Sequence, residues 1–190
     1  MGRTKKYMGT QESFKKVVDR VICDNQETYE KYVRRSEEGA LTRDENAQSH
    51  ICVYFLPIDS ESRKVFMILH KKAGMWLSPG GHVDAGETLL QALNREMGEE
   101  LGTKNASSVD QKPFLLTMTP IDNIVQPCKL HFDVWFAVHT DGKDFAVDPT
   151  EFLDAKWLSI AEAMERVVDP ANLRALRIIG QSWSAQSEKD

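Results

Sequence analysis

At 190 residues the chain is long enough to bury one ordinary hydrophobic core and too short for two full ones. Hydrophobic residues make up 41% and charged residues 28%, and a net charge of −5 with only short basic clusters (Arg3-Lys5-Lys6, Arg34-Arg35, Lys71-Lys72) argues against a nucleic-acid partner, since affinity for a phosphate backbone rests on clustered Lys and Arg. Cys23, Cys52 and Cys128 are widely spaced with no C-x-x-C pair, so neither a disulfide framework nor a zinc site is expected, and the absence of a membrane-length apolar run or a signal-like N-terminus points to no membrane and a cytoplasmic location.

Helical spacing opens the chain. Phe14, Val17, Val18, Val21 and Ile22 recur on one face, and Asp24 is placed to cap a second segment carrying Tyr29, Tyr32 and Val33, which predicts two helices over residues 11 to 38. A polar linker from Ser36 to Ser49 follows. His50 to Pro57 and Lys64 to His70 read as strands joined in a hairpin, with further strands near Pro113 to Thr119 and Lys129 to His139. Ser159-Ile160-Ala161-Glu162 is a capping box, and Asp169-Pro170 starts a last helix carrying Leu173, Leu176 and Ile179. This order predicts an α/β/α sandwich with a mixed sheet. It divides the chain into an N-terminal helical extension and linker, residues 1–47, and a catalytic-type domain with its C-terminal helix, residues 48–190.

The segment Gly81 to Gly102, GHVDAGETLLQALNREMGEELG, carries the chemistry. At about 100° per residue, Glu99 and Glu100 lie roughly 60° and 40° to either side of Glu96, so three carboxylates share one sector of a helix. Leu90, Leu93, Met97 and Leu101 define its buried stripe, and Gln91, Asn94, Arg95 and Gly98 its water side. Glu96 and Glu100 fall at the edge of the stripe. Like charges at these spacings repel, and no cation on the helix face is expected to offset them; a divalent ion is the economical partner for partly desolvated carboxylates. Pro79-Gly80-Gly81 lets backbone approach with no side chain in the way, Asp84-Ala85-Gly86 makes a second turn, Glu87 is read as opening the helix, and Gly102 as ending it in the left-handed conformation. Carboxylate and carbonyl oxygens together suit Mg²⁺ or Mn²⁺.

The fixed positions Gly81, Glu87, Arg95, Glu96, Met97, Glu99, Glu100 and Gly102 resemble the signature of the Nudix hydrolases, departing from it only at Thr103, where an aliphatic residue is usual. The resemblance implies the Nudix α/β/α sandwich over roughly residues 48 to 168. It implies Glu96, Glu99 and Glu100 as catalytic metal ligands, with the Gly80 carbonyl as a further ligand and Glu96 as a candidate general base. Gly81, Glu87 and Arg95 would be structural supports, Arg95 holding Glu87. Glu151, in EFLDAKW, resembles a further catalytic acid that many members draw from a later loop, with Asp122, Asp133 and Glu162 as competitors. The implied activity is Mg²⁺-dependent hydrolysis, by a metal-activated water, of a phosphoanhydride bond in a small nucleotide: a nucleoside diphosphate linked to another moiety. A catalytically silent nucleotide-sensing or partner-binding domain on the same fold is the alternative. Trp76, next to the glycine turn, and His82, inside PGGHVD, are the substrate-contact candidates. His131 and Asp133 alternate on one strand face, which is either solvent or pocket. The N-terminal helices are expected either to pack on the sheet or to mediate a homodimer, and both would hide Phe14, Val18 and Tyr29.

Overall fold

The computed structural model describes residues 9–103, 109–110, 112–122 and 127–187. The Arg3-Lys5-Lys6 cluster lies outside the described residues. Helices α1 (Thr10–Val17) and α2 (Gln26–Glu38), joined through a 3₁₀ turn at Arg20–Ile22, precede strands β1 (Ser49–Asp59), β2 (Lys64–His70), β3 (Met75–Leu77) and β4 (Gly80–His82). Helix α3 (Leu89–Leu101), β5 (Leu115–Pro120), β6 (Leu130–His139), β7 (Phe152–Ser159), α4 (Ile160–Arg166) and α5 (Pro170–Ser187) complete the chain.

The seven strands among the described residues form one mixed sheet whose main path runs β3-β2-β1-β6-β5, with β4 added to β1 and β7 to β2. β1 and β6 pair in parallel from Ser49↔Leu130 to Ile58↔His139, while the other pairings are antiparallel. Both faces of this central pair are covered, which is why β1 and β6 read as nearly continuous apolar runs. Ile51, Val53 and Phe55 of β1 and Phe132, Val134 and Phe136 of β6 pack with Phe14, Tyr32 and the apolar side of α3. Leu56, Ile58 and Ala137 face the other way, toward α4 and α5 through Ala163, Val167, Leu176, Ile179 and Trp183. Helices therefore sandwich the sheet, as expected.

The N-terminal helices lie on the α3 side. Phe14 and Tyr32 are fully buried in the main core, and the Tyr32 hydroxyl lies 2.7 Å from the carbonyl of Thr117 and 2.8 Å from that of Asp133, across β5 and β6. Val18 and Tyr29 are half-buried. Asn25, not Asp24, caps α2, its side-chain oxygen accepting from the Thr28 N–H at 2.8 Å; Asp24 instead pairs with Arg174 of α5 at 3.1 Å. The segment read as a linker begins inside α2 and is tied down beyond it. Leu41 and Thr42 are buried, and the Leu41 carbonyl accepts from the Ile51 N–H at 2.8 Å.

Bounds of the long strands and of α2, α3 and α5 lie close to their periodicity, but α1 stops at Val17, leaving Val18 as its cap and Val21 exposed in the 3₁₀ turn, and three strands went unread. β3 and β4 have three residues each, too few for a period to register. β7 alternates only weakly because it sits at the sheet margin beside β2. The capping box Ser159–Glu162 is present, and Asp169 caps α5 by accepting from the Asn172 N–H at 2.8 Å. No helix among the described residues is long and apolar enough to cross a membrane.

Candidate active site

Strand β4 is the floor of the site. Its pairing with β1 sets Tyr54 against Gly80, Val53 against Gly81 and Cys52 against His82. Gly80 has φ 147°, and a Cβ there would overlap the Val53 carbonyl and the Tyr54 backbone. At Gly81 a Cβ would fall on the Glu96 carboxylate. Bare backbone is thus what allows α3 to bring its acids down onto the strand, and the Gly80 N–H donates to Glu100 Oε2 at 2.7 Å.

The helix itself starts two residues later than its acidic turn implied. Thr88 is the N-cap, in a capping box with Gln91, so Glu87 precedes α3 rather than opening it; Gly102, at φ 65°, ends it. Leu89, Ala92, Leu93, Met97 and Leu101 form the buried stripe, with Leu90 half-exposed. Glu96 and Glu100 are not at the edge of that stripe but buried themselves, at 8% and 5% exposure. Thr103, the departure from the signature, is accommodated by donating to Asp144 Oδ2 at 2.8 Å.

Arg95 corrects the charge argument made from the sequence. Instead of pointing to water, it is half-buried and binds Glu87 in a two-pronged pair at 3.0 Å on each oxygen. Its remaining donors reach the His82 carbonyl at 2.8 Å, Glu96 Oε1 at 2.7 Å and Glu99 Oε2 at 3.1 Å. A cation therefore does offset part of the repulsion. A planar guanidinium is suited to this, because its donors fan out in fixed directions. The hydrogen bonds that Arg95 donates to Glu87, opposed by burial, raise its pKa further above its usual value.

The offset is incomplete. Burial pushes the Glu96 carboxyl above its ordinary range, with Arg95 opposing and Glu99 adding repulsion. Burial, then the charge of Glu96, pushes Glu100 well above its range despite the Gly80 N–H, and Glu151 contributes in the same direction. Such carboxyls hold protons until a stronger cation displaces them, and their hard oxygen donors match a magnesium-like ion. The three glutamates do not close into a ready-made cage. Among the described residues, they are not one of the groups whose potential ligand atoms all lie within 4.8 Å of one another.

Glu151 is carried to this end of α3 by its loop. The Asp148 N–H donates to the Glu100 carbonyl at 3.1 Å, and the Ala146 N–H to that of Leu101 at 2.8 Å. Trp76 takes a different place, packed against the α4–α5 core with Lys156 and Arg166 over its ring at 5.6 and 5.8 Å. Of the competing acids, Asp122 is exposed and Glu162 is committed to its cap, accepting from the Ser159 N–H at 2.8 Å. Asp133 is fully buried, accepting from the hydroxyls of Thr117 and Thr119, and burial pushes its carboxyl up to about 7.

His82 faces away from the glutamates. Successive residues of a strand alternate faces, so Gly81 meets Glu96 while the His82 imidazole enters the opposite side. There the register gathers residues far apart in sequence: His50 pairs with His131, Cys52 with Asp133 and with His82. His82 lies 4.7 Å from the His50 ring and 5.2 Å from that of His131, centroid to centroid. Burial lowers His82 to about 3 and His131 to about 4, leaving both imidazoles neutral. His131 and Asp133 thus line a buried polar patch rather than solvent. Sequence reasoning missed His50 and Cys128 there, which only sheet register and the loop before β6 bring in.

A family model of the NUDIX domain matches residues 48–178. Over 102 residues the chain is 32% identical to an RNA pyrophosphohydrolase of Gluconobacter oxydans, covering 48% of this chain and 60% of that protein. An RNA pyrophosphohydrolase of Helicobacter pylori is 28% identical over 101 residues, covering 50% of this chain and 65% of that protein. The match to a putative 8-oxo-dGTP diphosphatase of Bacillus subtilis is 30% over 107 residues, 55% of this chain and 64% of that one. The chain thus spans less than two thirds of these relatives. In fold it resembles the E. coli dihydroneopterin triphosphate pyrophosphohydrolase, with a TM-score of 0.57 at 21% identity over 66% of this chain and 91% of that one. The NUDIX domain of Shewanella oneidensis NrtR, solved with ADP ribose, gives 0.57 at 15% identity over 72% and 88%.

Proposed function

This chain belongs to the NUDIX family, and on that premise we propose that it is a pyrophosphohydrolase dependent on Mg²⁺ or Mn²⁺, cleaving a phosphoanhydride bond in a nucleoside diphosphate derivative. The observation that carries the reading is the pair of buried glutamates, Glu96 and Glu100, pressed onto side-chain-free backbone at Gly80 and Gly81. Two desolvated carboxyls with raised pKa are costly to keep unless a cation is their partner.

Glu96, Glu99, Glu100 and the Gly80 carbonyl would hold that cation. When bound, it neutralises phosphate oxygens and makes a coordinated water acidic enough to attack phosphorus near neutral pH. The chain's own groups do the rest. Glu96 is the candidate to accept the water's proton, while Arg95 anchors its Oε1 and fixes the orientation of the carboxylate. Arg95 also ties the His82 carbonyl and Glu87 to α3, so that loop and helix move as one unit. Glu151 adds negative charge beside Glu100 and is proposed as a further acid at the same centre. Trp76 stands off this centre, and a substrate role for it belongs to the parts of the substrate beyond the diphosphate, whereas the His82 imidazole lies on the opposite sheet face.

The relatives named RNA pyrophosphohydrolase make a 5′-phosphorylated RNA end one substrate to include, beside free nucleotides. The test is a panel of ADP-ribose, nucleotide sugars, dinucleoside polyphosphates, nucleoside triphosphates and 5′-triphosphorylated RNA, each with Mg²⁺, reading released phosphate, pyrophosphate or monophosphate. Turnover that disappears on chelation and returns with Mg²⁺ supports the proposal. Binding without turnover across the panel would support the silent nucleotide-sensing domain instead.

A further inference from the structure

On the sheet face opposite the glutamates, four side chains with soft or borderline donor atoms converge. Cys128 Sγ lies 2.7 Å from His131 Nε2 and 3.4 Å from His50 Nε2, and the His82 ring closes the group. One donor atom from each of His50, His82, Cys128 and His131 lies within 4.8 Å of the others. Three of the four residues are buried and His82 is partly so. From these observations we infer that His50, His82, Cys128 and His131 form a closed, four-ligand Zn²⁺ site that pins β4 to the starts of β1 and β6.

The hydrogen bonds set the tautomer of one ring of the group and leave another ring with an unmatched nitrogen. His50 Nδ1 stands 3.0 Å from the Asn46 carbonyl, which can only accept, so Nδ1 carries the ring proton and the Nε2 lone pair faces Cys128. The Cys128 thiol can donate to His50 Nε2 while His131 Nε2–H donates to Cys128 Sγ, an arrangement that leaves His131 Nδ1 a bare acceptor. His131 Nδ1 is buried with no hydrogen-bond partner among the described residues, a rare condition in a settled core. The His50–Asn46 bond is the outer contact that orients a ligating imidazole.

The donor set selects the metal. One thiolate and three imidazoles suit tetrahedral zinc, whereas magnesium prefers oxygen. Bond lengths of about 2.3 Å to sulfur and 2.0 Å to nitrogen give ligand-to-ligand edges of roughly 3.5 Å. The Cys128–His50 separation already meets that value, and the Cys128–His131 separation has to open by roughly 1 Å to reach it. Burial raises the Cys128 thiol, so loading is a proton exchange: Zn²⁺ takes the thiolate and one H⁺ leaves to solvent. Four protein ligands leave no open position, which makes the role structural.

The site does not depend on the hydrolase reading, and its test is independent of turnover. Tag-free full chain, purified without chelator from zinc-supplemented cells, is expected to contain about one zinc per chain by mass spectrometry of the metal. Cys128→Ser and His50→Ala should lower that to below about a tenth, while Cys23→Ser, outside the group, retains it. Co²⁺ in place of zinc should give the visible bands of a tetrahedral ion and a thiolate charge-transfer band that Cys128→Ser abolishes. Should those variants fail to fold, the wild-type chain decides: stripped protein that takes up neither Zn²⁺ nor Co²⁺ on titration overturns the inference. Equal zinc content in a folded Cys128→Ser chain overturns it as well.

Discussion

Glu100 illustrates how a single position can be costly without its partner ion. Replacing it by glutamine keeps an oxygen for the Gly80 N–H and removes a carboxyl that burial forces to take up a proton. Glu100→Gln is therefore expected to melt at a higher temperature than wild type without Mg²⁺, to lose most of the stabilisation Mg²⁺ confers, and to lose about a hundredfold or more in kcat. A variant with near-normal turnover would contradict the metal assignment. Protons give a second view of the same pair. Without Mg²⁺ the folded Glu96 and Glu100 hold protons that the unfolded chain has released above about pH 4.3. Stability is then fully present below that pH and falls as pH rises through the raised folded values. Mg²⁺ should flatten this decline, so the gap between melting curves with and without it widens from pH 5 to 8, at about those limits. Asp133, raised to about 7, adds a decline of the same sign that Mg²⁺ leaves untouched, so the difference isolates the glutamates.

Among elements, the junction of β4 with α3 sets the tolerance of the site. Gly81→Ala puts a methyl where the Glu96 carboxylate lies, so that carboxylate must swing away from its Arg95 contact. We expect a loss of about 1–3 kcal/mol in stability and a disproportionate loss of activity, measured by denaturant titration beside kcat. The helix and its acids were legible because the spacing of eight fixed residues is specific, and the capping box at Ser159 because its chemistry is local. The resemblance gave the hold of Arg95 on Glu87, which the structure shows; what spacing hid was its reach to the His82 carbonyl, Glu96 and Glu99, since a helical wheel places its Cα on the water side. The buried histidines stayed hidden for another reason. His50, His82 and His131 become neighbours only through strand register, and β4, which supplies His82, is too short to announce itself.

For the whole molecule, the N-terminal helices are part of the core in packing, whatever boundary is drawn between them and the rest. Phe14 and Tyr32 are fully buried against the sheet, so a chain lacking residues 1 to 40 is expected to aggregate or to melt far below the full chain. A shorter probe is Tyr32→Phe. It removes the hydroxyl that meets the carbonyls of Thr117 and Asp133, and about 1–3 kcal/mol of stability should go with it, read by denaturant titration. The sheet itself was legible as a class from the alternation of strands and helices, but its order was not, because nothing local in β1 says that its long partner is β6.

That long parallel pairing also governs how the protein can be made. Ser49 through Ile58 find their neighbours at Leu130 through His139, so the central strand leaves the ribosome well before its mate has been synthesised. During that interval a strongly apolar stretch waits with one edge open, and the exposure lengthens as translation slows. Recombinant yield of this chain should therefore depend on holdase chaperones and on growth temperature more than its folded stability would suggest.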